Sequence, residues 1–166
     1  MNTTARRAAV LSLLAAGLIA GAASPAAAAT TNPVKKTSST DLAMESRAVT
    51  LTNQARVANG CAAVRVSGRL TTAARAHSID MAKYGYFSHT GRDGSTFVTR
   101  AQKAGYANPV GENIAWGYRT ADETVTGWLN SPGHRANILN CAATTVGVGV
   151  ARRGDGTPYW TQVFGA

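Results

Sequence analysis

The 166-residue chain carries 17 basic and 8 acidic side chains, a formal net charge of +9, and only two cysteines. That length excludes an array of ordinary-sized domains, and two cysteines exclude a disulfide-dense scaffold. The cations are scattered singly and in pairs (Lys35-Lys36, Arg152-Arg153), with no basic stripe or aromatic stacking platform, so no nucleic-acid partner is expected. The charge favours anionic polymers and cell-surface polyanions instead.

Arg6 and Arg7 precede an acid-free, Leu- and Ala-rich run over residues 8–29 that ends in Ala26-Ala27-Ala28-Ala29. This pattern predicts a signal peptide over residues 1–29. The apolar stretch is interrupted by Gly17 and Gly21 and falls short of the ~18–20 residues of a spanning helix, so no membrane span is expected after cleavage. The product is expected to be secreted, extracellular or associated with the cell wall. Residues 30–40 are Thr, Ser, Asn, Pro and Lys with little apolar content, and predict a flexible leader. Residues 41–166 remain for one domain. In an oxidising destination Cys61 and Cys141 predict a disulfide, which on the chain-entropy model adds up to roughly 4–5 kcal/mol.

A first helix is expected over residues 41–59, where Gly and Pro are absent before Asn59-Gly60 and an apolar face is formed by Leu42, Ala43, Val49, Ala55 and Val57. Ser67 caps a second helix on which Leu70, Ala74, His77, Met81 and Tyr84 recur at helical spacing before Gly85. Thr96 caps a short helix with Phe97, Ala101 and Ala104. A strand is expected at residues 114–118. Thr120 and Glu123 have capping-box spacing ahead of Val125, Trp128 and Leu129. Ser131-Pro132 restarts a helix with His134 in its first turn. Val146, Val148 and Val150 alternate with small residues, and a Gly154-Asp155-Gly156 turn leads to the aromatic, β-branched stretch 159–164, which predicts a hairpin. Gly147 and Gly149 inside that alternation imply close packing against the strand. Helices first and strands mostly last indicate an α+β domain.

There are three histidines. His77 lies in an apolar stripe and reads as a core residue making one structural hydrogen bond. His89 follows a helix stop, His134 sits at a helix start, and Glu112 lies between Gly111 and Asn113 just before the expected strand; such boundaries line clefts. Two imidazoles and one carboxylate serve either a divalent cation such as zinc or a metal-free acid and base pair, and their spacing does not choose between them. No Gly-x-Ser-x-Gly elbow, phosphate-cradling loop or spare thiol is present.

The succession Tyr86-Phe87-Ser88-His89, Gly111-Glu112-Asn113-Ile114-Ala115, Trp128-Leu129-Asn130-Ser131-Pro132-Gly133-His134-Arg135-Ala136-Asn137-Ile138-Leu139 and Tyr159-Trp160-Thr161-Gln162-Val163-Phe164-Gly165 resembles the bacterial branch of the CAP (SCP) superfamily, the cysteine-rich secretory, antigen 5 and pathogenesis-related group 1 proteins. The resemblance implies an α-β-α sandwich, with a small antiparallel sheet between helical layers, and a central cavity. In eukaryotic relatives that cavity commonly holds two His and two Glu that bind a divalent cation. Carried over, the first His and Glu fall on His89 and Glu112, the second Glu on Ser131 and the second His on Tyr159. His134, three positions beyond Ser131, is expected to refill the cavity, with Ser131 and Tyr159 as hydrogen-bonding members of the pocket. The bland alternative is a buried polar network fixing the helices on the sheet. The resemblance favours a binding or interaction module for a cell-envelope, lipid or host component. The alternative is a hydrolase, with or without a metal, in which His89 or His134 is the base and Glu112 orients it.

Overall fold

Alternation of Val146, Val148 and Val150 with Gly147, Gly149 and Ala151 sorts the molecule into layers. The computed structural model describes residues 33–166; the expected signal peptide lies outside the described residues. The strands are β1 (Val34–Lys35), β2 (Arg65–Val66), β3 (Pro109–Trp116), β4 (Thr145–Arg153) and β5 (Pro158–Gly165). The helices are α1 (Ser39–Ala58), α2 (Gly68–Tyr84), α3 (Phe97–Lys103), α4 (Ala121–Leu129) and α5 (Pro132–Ile138). The sheet order is β1-β4-β5-β3, antiparallel throughout, with the two residues of β2 pairing in parallel beside β4. This is the α+β, α-β-α arrangement the sequence implied.

Side chains on a strand point alternately to its two faces. The valines of β4 pack, with Trp160 and Phe164 of β5, against Ala48 of α1, Val125 and Trp128 of α4 and Ile138 of α5. The glycines face α2. A Cβ at Gly147 would lie 2.2 Å from the backbone of Leu70 and Thr71, and one at Gly149 2.3 Å from the Arg75 backbone nitrogen. The close approach foreseen from the sequence is thus a helix backbone lying on a strand backbone. Because neither partner can rotate away, Gly149→Ala should cost about 2 kcal/mol in urea unfolding. Gly68→Ala, whose Cβ would meet nothing within 4 Å, is the matched control and should leave the midpoint nearly unchanged.

Helix α1 departs from the expected pattern. Its buried residues are Asp41, Glu45, Ala48, Thr52 and Arg56, whereas Leu42 and Val57 are exposed. The polar stripe faces inward because each charge finds a distant partner. Asp41 accepts from Arg152 at 2.7 Å, Glu45 pairs with Arg75 and accepts from the Val150 backbone, and Arg56 donates to carbonyls of residues 62, 138, 140 and 143. Within the stretch expected as a flexible leader, Val34 and Lys35 pair with Arg153 and Arg152, and Ser38 forms a capping box with Asp41. The disulfide Cys61–Cys141 is present.

The caps read from the sequence at Ser67, Thr96 and Thr120 all accept a backbone N–H three residues on. Ser131 occupies the N-cap with Pro132 after it, but its side chain makes no cap bond. Strand β3 runs earlier than expected, ending at Trp116 because Gly117 takes φ +85°. Glu112 therefore lies within the strand, opposite Val163, rather than ahead of it. The outer edge of β3 is covered by side chains: Trp128 Nε1 donates to the Ile114 carbonyl and Asn137 Nδ2 to the Glu112 carbonyl. Edge strands left bare invite pairing with other chains, so this cover also closes the sheet.

Candidate functional site

Strand β3 sends Glu112 toward the loop between α2 and α3, and Asn113 to the opposite face. The Glu112 side chain is 1 % exposed, yet both of its oxygens are engaged. Oε1 accepts from His89 Nδ1 at 2.8 Å and Oε2 from Arg100 Nη2 at 2.7 Å. Arg100, on α3, is fixed in turn by donating to the carbonyls of Ser95 and His89 at 2.8 and 3.0 Å. With Nδ1–H directed at a carboxylate, the neutral His89 ring carries its lone pair on Nε2, and its side chain is 54 % exposed. A buried ion pair thus orients a half-exposed imidazole.

Gly111 makes room for this strand: a Cβ there would sit 2.8 Å from Asn137 Oδ1. Asn137 also donates to Asn113 Oδ1 at 2.9 Å, Asn113 donates to Gln162 Oε1 and to the His134 carbonyl, and Gln162 donates to Thr52. The polar network that fixes helices to the sheet therefore runs through Asn113, Asn137, Gln162 and Thr52. It leaves the His89 and Glu112 side chains on the other face.

Burial first, and then the influence of His89, pushes the His134 imidazole below its ordinary value. Among the described residues its ring makes no hydrogen bond. Ser131 stays at the start of α5 without a side-chain bond. Tyr159 is not joined to the trio by any hydrogen bond among the described residues. It pairs across the sheet with Trp116, four positions from the Glu112–Val163 pair, and its ring stacks against Trp116 with centroids 6.3 Å apart. Trp116, 55 % exposed, also contacts the exposed Phe87 at 6.4 Å. Arg100 was missed in the sequence, although its spacing of three from Phe97 and four from Ala104 places it on the buried face of its helix.

A divalent cation does not suit these residues. The Arg100 guanidinium already neutralises Glu112, and Ser131 and Tyr159 supply no ligand where the eukaryotic pattern has a carboxylate and an imidazole. Among the described residues no group of three His, Cys, Asp or Glu side chains is arranged to hold a metal ion.

His77 is buried, as expected, and its Nε2 donates to the Ser88 carbonyl at 2.9 Å. Among the described residues its Nδ1 has no hydrogen-bond partner. Burial, followed by the Arg100 charge, lowers its affinity for protons, because a protonated Nδ1 would be a buried donor without an acceptor. The unfolded chain, with an ordinary His value of about 6.5, then binds the proton that the native state refuses. Stability from this residue is complete above that value and is lost as pH falls through it. Melting temperature measured from pH 7.5 to 5.5 should fall more steeply in the wild type than in His77→Asn.

The sequence matches CAP, the cysteine-rich secretory protein family, over residues 49–164. It is 38% identical over 135 residues to the uncharacterized protein YkwD of Bacillus subtilis, covering 81% of this chain and 51% of that protein. The fold superposes with TM-score 0.70 and 32% identity on an extracellular SCP-domain protein of Bacillus anthracis, covering 75% of this chain and 41% of that one. It superposes with TM-score 0.69 and 20% identity on an outer surface protein of Borrelia burgdorferi, covering 81% of this chain and 97% of that one. The chain thus spans about half the length of YkwD. No helix among the described residues is long and apolar enough to cross a membrane. With the motifs, the layered fold and these likenesses in agreement, the chain belongs to the CAP, or cysteine-rich secretory protein, family.

Proposed function

We propose that the protein is exported and acts as a binding module for a component of the cell envelope, held at His89. The observation that carries this reading is the Arg100–Glu112–His89 chain. A buried carboxylate with both oxygens engaged is not free to take up a substrate proton, whereas the half-exposed Nε2 it orients is free to accept a hydrogen bond. Phe87, two residues before His89, and Trp116 add an exposed aromatic surface of the kind enriched at recognition sites. The extracellular and outer-surface descriptions of the Bacillus anthracis and Borrelia proteins support an envelope setting.

The test is retention of purified protein on isolated wall and membrane fractions. His89→Asn, whose side-chain amide can still donate to Glu112 but presents no Nε2, should keep its melting temperature and lose at least fivefold in retention, about 1 kcal/mol. Unchanged retention would overturn the reading. A metal-free hydrolase is the second reading, favoured by His134, whose imidazole burial shifts toward its neutral, proton-accepting form. Release of soluble fragments from the same fractions, lost in His134→Ala, would identify that activity.

A further inference from the structure

Beside Arg100, α2, α3 and the loop between them form a groove of about 960 Å3 whose lining includes neither His89 nor Glu112. It exists because short side chains face it: Ala73 is buried beneath it, and Ala76 and Ala104 fill little of the space between the helices. Its volume falls within the ~300–1,000 Å3 of small-ligand sites.

Its charges are balanced. Arg100 is already neutralised by Glu112, which leaves Arg92 and Lys103 against Asp80 and Asp93. Among the described residues none of these four makes a salt bridge. Arg92 lies flat on the Tyr84 ring at 3.9 Å, Asp80 accepts from the Tyr86 hydroxyl, and Asp93 accepts from the Ser95 backbone at 2.9 Å while feeling the Lys103 charge. Arg92, Asp80 and Asp93 are thus each held in place by an uncharged neighbour. A polyanion would be attracted by two of the four charges and repelled by two. A ligand carrying one charge of each sign gains from both sets, and an alanine-lined interior admits only small apolar groups beside those charges.

We propose that this groove binds a short peptide that carries both a carboxylate and an ammonium group among small side chains. The site is separate from the His89 surface and does not rest on the function proposed above. Its test is calorimetric titration of the purified protein at low salt with the tetrapeptide Ala-Glu-Lys-Ala, beside Ala-Gln-Lys-Ala, Ala-Glu-Gln-Ala and poly-glutamate. Saturable binding by the mixed-charge peptide, weakened at least fivefold by either peptide substitution, is the expected result. Lys103→Gln and Asp93→Asn, both at exposed positions, should each weaken it similarly with unchanged melting temperature. His89→Asn, which keeps a donor for Glu112, should leave it intact, so failure here and failure of envelope retention are separately visible. Tighter binding of poly-glutamate, absence of saturation by roughly 5 mM peptide, or indifference to both groove variants would overturn the proposal.

Discussion

Arg56→Met should lower stability by about 4 kcal/mol and the melting temperature by roughly 10 °C or more. Arg56 is fully buried, yet among the described residues no carboxylate pairs with it; burial accordingly pushes its guanidinium below the ordinary value. Its work is done on backbone. Nη1 donates to the carbonyls of Ile138 and Asn140 at 2.7 and 2.9 Å, Nη2 to Ala143 and Nε to Ala62 at 2.9 Å. These carbonyls belong to the two segments that Cys61–Cys141 joins, so one side chain gathers the irregular chain ends around the disulfide. Methionine fills similar space and removes the cost of burying a charge, but leaves the carbonyls of Ile138 and Ala143 without that donor, and unsatisfied buried groups cost ~1–3 kcal/mol each. Denaturant unfolding of oxidised protein measures the difference. A loss below about 1 kcal/mol would mean that water replaces the guanidinium.

Arg100→Met should be comparably damaging, by about 3–5 kcal/mol near neutral pH, because it strands the Glu112 carboxylate at 1 % exposure with only His89 beside it. Two further measurements separate this cause from lost packing. The deficit should shrink in mildly acidic buffer, where a buried carboxyl without its guanidinium takes up a proton. Combining Arg100→Met with Glu112→Gln should recover part of the loss, since the two residues are coupled at 2.7 Å. The same variant should release His89 from its fixed orientation and weaken envelope retention. A double-mutant cycle with no coupling would remove Arg100 from the site.

Much of the local architecture was legible because it rests on neighbours in sequence. The caps at Ser67, Thr96 and Thr120 need only a backbone N–H three residues away. The hairpin of β4 and β5 follows from alternation and a glycine turn, and the meaning of Gly147 and Gly149 from the oddity of glycine within a valine strand. The pairing of His89 with Glu112 was expected from motif resemblance rather than from spacing, and the structure brings the two into contact. Their shared partner on α3, Arg100, was not expected, because its spacing marks the buried face of the helix but not which carboxylate, on another element, it meets there.

Polar burial was where local reading failed. The apolar face assigned to the first helix used Leu42 and Val57, both exposed, while Asp41, Glu45 and Arg56 turned inward. Apart from the Ser38 cap on Asp41, their partners lie from 6 to 111 residues away along the chain, and no window on the helix contains most of them. Strand register, which no local window contains, likewise set the neighbour of Tyr159, whose ring stacks on Trp116.

The sequence by itself determined the α+β class, the order of the five helices and of β3, β4 and β5, the caps at Ser67, Thr96 and Thr120, the disulfide and the family, since each depends on residue type and short-range spacing. Tertiary structure alone decided which charges are buried, which imidazole nitrogen is presented to solvent, and where the groove between α2 and α3 lies. Those outcomes depend on pairing and desolvation between segments far apart in the chain, which are settled only when the layers close.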